Sequence, residues 1–143
     1  MQPRPRCVED DITLRLLVPG ADGVVLDANL RYDPSDPYAV KATFRAGEAS
    51  VSWMLGRELL HHGLVDGTGD GDVRVWPDLD DEDEPAVMVR LSSPDGQAVL
   101  CLDADVLQNF LARTFAVVPI GQEGQYLDVD GCLEQLLSGR RAT

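Results

Sequence analysis

Four stretches in the first 56 residues alternate apolar and polar side chains with a period of two, and that alternation constrains the fold more than any other feature. Ile12, Leu14, Leu16 and Val18 alternate with Thr13, Arg15 and Leu17. Leu26, Ala28, Leu30 and Tyr32 alternate with Asp27, Asn29 and Arg31. Tyr38, Val40, Ala42 and Phe44 follow in the same way, and then Val51, Trp53 and Leu55. A period of two places successive side chains on opposite faces, so these are half-buried antiparallel strands with one face on a core and one in water. The separators PGADG, DPSDP and RAGEA carry turn residues at hairpin spacing.

The separator inside LRYDPSDPYAV holds two Asp-Pro pairs around one serine. Asp33 and Asp36 admit two readings, a carboxylate pair with chemistry to do or a device of turn geometry. Geometry explains more. Each proline pushes the aspartate before it away from the helical region. An aspartate side chain also accepts from backbone amides two residues on, which closes a turn.

The segment GRELLHHGL predicts a short helix with Leu59 and Leu60 inward and Gly63 as C-cap. The pattern then repeats in outline. GDVRVW, AVMVRLSS and AVLCLD read as strands, SSPDGQ as a hairpin turn, and Asp103 as the N-cap of a helix facing inward through Val106, Leu107, Phe110 and Leu111. Residues 51–64 and 98–111 share the order strand, polar break, helix, which points to a structural duplication. A last short helix is expected over 130–139, capped by Asp130, with Leu133, Leu136 and Leu137 inward.

The chain of 143 residues is read as one domain. Twenty-five acids against twelve bases give a formal charge of −13, which repels nucleic-acid phosphates and anionic lipid. Neither nucleic acid nor a membrane is expected as a partner. Cys7, Cys101 and Cys132 are odd in number, widely spaced and without a CxxC pattern, as suits a reducing, cytosolic compartment. No apolar run approaches the roughly 20 residues of a membrane span.

Motifs for catalysis or cofactors are missing from the sequence. DGTGDGD at 66–72 has Thr68 at the third position of an EF-hand loop and Pro77 where a bidentate Glu is needed, so that reading fails. The acidic run DLDDEDE at 78–84 is read as a solvated, mobile loop. His61 and His62 are neighbours on a helix, about 100° apart, and cannot clamp one metal. No enzyme, metal or cofactor is expected. The surface positions a core does not explain become the candidate partner-binding residues. They are Arg57, Glu58, His61 and His62 on the first helix, and Trp76 with Pro77 at a strand end. Trp76 has the opposite parity to Val73 and Val75; it is either an interface anchor or packed beneath a loop.

Taken together, LRYDPSDPYAV, GRELLHHGL, GDGDVRVWP, LSSPDGQA and FLARTFAVVPIGQE follow in the order and spacing of the SsgA-like proteins, the sporulation and cell-division regulators of actinomycetes. The chain resembles that family over about residues 10–137. GRELL and VPIGQE resemble its founding members; GDVRVWP and LSSPDG resemble those that recruit FtsZ. The acidic run 78–84 and the terminal Arg4, Arg6, Arg140 and Arg141 fall outside the shared pattern. The resemblance implies an α+β, whirly-like fold of two ββββα units whose antiparallel sheets pack as a barrel-like body. It further implies a homo-oligomer, a trimer above all, and no catalysis. Partners would be other SsgA-like proteins and the FtsZ-type division machinery, with the protein gathered at septa and guiding peptidoglycan remodelling. Whirly-like folds also bind single-stranded nucleic acid, which is the alternative function. Such binding needs a basic groove with stacking aromatics, and here Arg31, Lys41 and Arg45 are few and aromatics scarce.

Overall fold

The computed structural model describes residues 6–20 and 23–126. The expected helix at 130–139 and Cys132 lie outside the described residues, as do Arg4, Arg140 and Arg141.

The four alternating stretches form strands β1 (Val8–Leu17), β2 (Val24–Tyr32), β3 (Ala39–Ala46) and β4 (Ala49–Gly56), followed by helix α1 (Arg57–Gly63). The second half supplies β5 (Thr68–Asp70), β6 (Val73–Leu79), β7 (Pro85–Ser93) and β8 (Gly96–Asp103), then helix α2 (Ala104–Val117) and a single 3-10 turn at Glu123–Gln125. The order ββββα therefore occurs twice, as the family resemblance implies; the alternation by itself gives three strands in the second half and misses the short β5.

The two units share one sheet, which corrects the expectation of two separate sheets packed as a barrel-like body. All eight strands join one antiparallel sheet in the order β4-β3-β2-β1-β8-β7-β6-β5. Its two halves are stitched by β1 and β8, through the pairs Arg15↔Cys101, Leu16↔Leu100 and Leu17↔Val99. Strands β4 and β5 are the opposite ends of this order, yet α1 packs against both and against β6. The sheet must therefore curl until its edges approach one helix, and right-handed strand twist drives it that way. Helix α2 fills the concavity against β1, β7 and β8.

Parity decides which side chains line that concavity. Ile12, Leu14, Ala28, Leu30, Tyr32, Val40, Ala42 and Leu55 are buried on the inner face, as the alternation predicts. They pack with Val75, Val87, Val89, Leu100 and Leu102 from the second half and with Leu60, Leu107, Phe110 and Leu111 from the helices. Three members of the inner alternating sets stay exposed: Val18 follows β1, Tyr38 precedes β3, and Val51 lies toward the far end of edge strand β4. Asp10 has inner parity too, opposite Leu30, and is accommodated by Arg113 of α2 at 3.0 Å.

The helix ends follow partly from sequence. Asp103 caps α2, its Oδ1 accepting from the amides of Asp105 (2.8 Å) and Val106 (3.3 Å). Gly63 does not cap α1 in a left-handed conformation. It is the last residue of α1, buried, and Leu64 takes the cap position with φ −70°. A Cβ at Gly63 would stand 2.6 Å from Val75 Cβ. The glycine is there because α1 presses on β6.

The acidic run also departs from a mobile loop. Asp78 and Leu79 belong to β6, paired with Ala86 and Pro85 of β7. Only Asp80–Glu84 turns the hairpin, and it is tied: Asp80 Oδ1 accepts from the amides of Glu82 (2.8 Å) and Glu84 (3.0 Å). Asp83 donates its amide to Asp80 O at 3.0 Å and sits at φ +60°.

Candidate functional site

The first surprise is Arg57. Read from sequence as a surface residue of α1, it is 2 % exposed and among the largest fully buried side chains. The reason lies at the end of the other helix. The last carbonyls of an α-helix have no partner within it, and α2 has no basic residue in its own last turn. Arg57 supplies one from across the fold: Nη1 donates to Thr114 O (3.2 Å) and Val118 O (2.8 Å). A cation at the first position of α1 is unfavourable for that helix dipole, but it sits at the favourable, negative end of α2.

Two aromatic rings and one carboxylate complete the shell. The guanidinium carbon lies 4.8 Å from the Tyr32 ring centroid and 4.5 Å from that of Phe115. Nη2 donates to Glu123 Oε1 at 3.0 Å. Glu123 is fixed in turn by Gly121, whose amide donates to both carboxylate oxygens at 3.1 and 3.0 Å. Gly121 reaches that position at φ +87°, a conformation glycine adopts without strain. Its own backbone amide first, then the Gly121 amide and Arg57, hold the Glu123 carboxyl below the usual carboxylate range. Burial pushes the Tyr32 phenol up to about 12, with Arg57 opposing it.

The DPSDP turn forms the third wall. Tyr32 donates its hydroxyl to Pro37 O at 2.9 Å, and the Arg57 amide donates to Tyr38 O at 2.8 Å. Asp33 Oδ1 accepts from the Ser35 amide (2.9 Å) and hydroxyl (2.8 Å), the turn bond expected from sequence. Those bonds lower the Asp33 carboxyl. Asp36 makes no such side-chain bond among those described; burial, then the charge of Asp33, raises its carboxyl. Pro34 and Pro37 are buried. The two Asp-Pro pairs therefore build a scaffold, and only the first aspartate closes it.

Above this scaffold opens a cavity of about 360 Å³, lined by Tyr38, Arg57, His61, Phe115, Ile120 and Glu123 among others. Glu58 and His62 also border it. Tyr38 (54 %) and Ile120 (64 %) stand exposed at its mouth. His61 meets the Phe115 ring edge-on at 5.0 Å. His62 Nε2 lies 3.4 Å from Glu58 Oε1, an exposed contact. Such pairs contribute little to stability. The two imidazoles point to different partners, as their adjacency on α1 requires. Four of the six candidate residues from sequence thus meet at one cavity, three on its rim and Arg57 in its floor.

Trp76 and Pro77 are elsewhere. Trp76 lies on the outer face, as its parity predicts, but half-buried against Ala86, Met88 and Cys101, with the Arg74 guanidinium 5.8 Å from the ring centroid. It is not a bare anchor. Pro77 is exposed and lies past the end of β5, on a stretch of β6 that has a strand only on its β7 side. A proline without an N–H is tolerated at such an edge. Sequence reasoning missed Tyr38, Thr114, Phe115, Ile120 and Glu123. Nothing local marks them, since all but Tyr38 assemble around a residue more than fifty positions away.

Among the described residues, no helix is long and apolar enough to cross a membrane. The row Arg31–Lys41–Met54 on the outer face brings two bases together but no aromatic ring beside them.

The family model for the Streptomyces sporulation and cell division protein SsgA matches residues 26–123. The sporulation-specific cell division protein SsgB of Salinispora tropica is 47 % identical over 140 residues, 96 % of this chain and 97 % of the relative. SsgB of Streptomyces coelicolor is 45 % identical over 132 residues, covering 92 % and 96 %. A solved structure from work relating mutations in SsgB to longitudinal cell division during sporulation of Streptomyces coelicolor superposes with a TM-score of 0.83 at 42 % identity, over 89 % of this chain and 100 % of that one. An SsgA-like sporulation-specific cell division protein from Thermobifida fusca gives 0.83 at 40 %, over 95 % and 99 %.

Proposed function

The chain belongs to the SsgA family of sporulation and cell division proteins, and on that premise we propose that it is a non-catalytic regulator of sporulation-specific division acting through contacts with other proteins. Its partners are FtsZ-type division machinery and other SsgA-like proteins; it gathers at future septa in the cytoplasm and guides peptidoglycan remodelling there. The observation that carries this reading is the convergence at Arg57. Tyr32, Pro37 and Tyr38, then Arg57, then Thr114, Phe115, Val118 and Glu123 come from three of the segments on which the family resemblance rests. They build one rigid wall, and around it Tyr38 and Ile120 are left in solvent. Rigid backing behind exposed apolar side chains suits a docking surface.

The whirly-like architecture and a homotrimer belong to the same proposal. Strand β4 supports self-association, because ASVSWMLG carries no charge and no proline and forms one end of the sheet order with Val51 and Met54 each 54 % exposed. An unprotected edge of that kind invites a further strand.

The test is a fluorescently labelled protein in sporulating hyphae, with capture of FtsZ by the purified protein. The wild type gathers at septal sites before constriction, and the double variant Tyr38→Ala/Ile120→Ala loses that pattern and captures less FtsZ while its melting curve is unchanged. A wild type that stays diffuse throughout sporulation refutes the function. A double variant that localises normally refutes the surface.

A further inference from the structure

The outer face of the sheet carries a second concavity, of about 380 Å³, on the side away from α2. Its floor is aliphatic, formed by Leu17, Val25, Leu79 and Met88 with Cys101. Three of these are left in solvent by the fold: Leu17 is 39 % exposed, Leu79 53 % and Val25 61 %. A contiguous apolar patch rimmed by polar groups marks an interaction surface.

The rim has one sign. Asp80, Asp81 and Glu82 from the β6–β7 turn and Asp103 from the start of α2 face Arg15 alone, four acids against one base, or −4 + 1 = −3. Arg15 reaches Asp81 at 3.5 Å with both side chains exposed, so the pair exchanges readily with a competing cation. The acids are also pre-positioned. Asp80 spends one carboxylate oxygen on the amides of Glu82 and Glu84, which fixes the turn. That leaves Asp81 and Glu82 projecting from a tied support.

We propose that this groove docks a cationic segment of another protein chain, anchored by one or two aliphatic side chains on the floor and by arginine or lysine on the acidic rim. Charge selects the occupant. Nucleic-acid phosphate and anionic lipid are repelled by the rim and by the net −13 of the chain. A neutral apolar segment leaves the rim unpaired, while a cationic one meets it and still finds the floor. The volume lies at the lower end of ligand pockets, roughly 300–1,000 Å³, which suits a few anchoring side chains of a segment. The groove is separate from the α1 cavity, so this proposal does not rest on the role assigned to Tyr38 and Ile120.

The test uses the full chain and a fluorescent ten-residue peptide carrying three leucines and four arginines, followed by anisotropy at low and at physiological salt. A second peptide has the leucines replaced by serine. The leucine peptide is expected to bind at least tenfold more tightly than the serine peptide at physiological salt. Asp81→Lys/Glu82→Lys should lower that binding at least tenfold. Glu48→Lys/Asp95→Lys, which reverses two exposed charges in hairpin turns outside the groove, should change it less than twofold. Both double variants should melt with the wild type, because none of the four carboxylates is buried. Binding that ignores the leucines, or that falls equally in both double variants, reduces the effect to bulk charge and overturns the proposal. No binding of the leucine peptide overturns it as well. So does a disulfide between Leu79→Cys and the native Cys132 on mild oxidation, because the chain's own leucine- and arginine-bearing end would then be the occupant.

Discussion

Replacing Arg57 by methionine isolates what the buried guanidinium contributes, because methionine keeps much of the aliphatic stem and its packing on Tyr32 and Phe115. The losses can be followed group by group. Thr114 O keeps the amide of Val118 at 2.9 Å, so it is not orphaned. Val118 O loses its 2.8 Å charged donor in a fully buried position. A buried polar group left unsatisfied costs about 1–3 kcal/mol, and a bond to a charged donor is worth about 1.5–3 kcal/mol. Glu123 loses its partner but remains partly in water, with the Gly121 amide still bound, so its share is smaller. The two estimates overlap at Val118, and the sum is about 3 kcal/mol. For a chain of this length that lowers the melting temperature by roughly 10 °C. Glu123→Gln keeps the geometry and removes only the charge, which leaves Arg57 satisfied by two carbonyls, and it should cost about 1 kcal/mol. Thermal and urea unfolding of both single variants and the double variant give the coupling; the double should be less destabilised than the sum, because the pair shares one interaction. An Arg57→Met chain within 0.5 kcal/mol of wild type would refute the reasoning, since a freely solvated surface arginine behaves that way.

Three further outcomes follow from the same contacts. Gly63→Ala gains up to about 1 kcal/mol of helix propensity but drives a methyl against the buried Val75; overpacking costs about 1–3 kcal/mol, so the net sign is a loss, and a raised melting temperature would show that α1 sits looser on β6. Asp33→Ala should cost about 1 kcal/mol through its two bonds to Ser35, whereas Asp36→Asn should be neutral or slightly stabilising at pH 7, because its carboxyl is raised by burial and by Asp33 and its charge is disfavoured in the fold; urea midpoints of the two variants check the contrast. The Tyr32 phenol, raised to about 12, ionises more readily in the unfolded chain, so its contribution is complete below about pH 10 and is lost as pH rises toward 12, by at most about 3 kcal/mol; Tyr32→Phe should flatten that part of the stability–pH curve.

The strands were legible because period-two alternation is local. Ile12, Leu14, Ala28, Leu30 and Val40 face inward for the same reason that the pattern was visible: each strand has one wet face. The pattern could not say whether four strands and four strands make two sheets or one. That choice rests on three pairs between Arg15–Leu17 and Cys101–Val99, which are more than eighty residues apart in sequence and carry no local signature. The candidate site shows the same division. His61, His62 and Glu58 were found because an amphipathic helix has a polar face. Arg57 was misread because charge predicts exposure by default, and only the unpaired carbonyls at the end of α2, brought near by the fold, make its burial favourable. Gly63 has the same history, since a glycine at a helix end signals a cap in sequence and a close approach here.

The position of Arg57 also ties stability to the surface it supports. The guanidinium touches the DPSDP turn through Tyr32, α2 through Thr114 and Val118, and the 3-10 turn through Glu123. Tyr38 directly follows the first of these, Phe115 lies on the second and Ile120 shortly precedes the third, and all three line the cavity. Removing the charge loosens three walls at once, so an Arg57 variant loses partner binding by displacement of groups it does not itself present. Tyr38→Ala and Ile120→Ala remove exposed side chains instead, and the walls remain. A variant set that reports both melting temperature and partner capture therefore separates the two roles: Arg57→Met moves both readouts, the Tyr38 and Ile120 variants move only the second. If Arg57→Met lowers the melting temperature while capture at a temperature well below the transition stays at the wild-type level, the cavity walls do not form the docking surface, and the exposed edge of β4 becomes the place where this protein meets its partners.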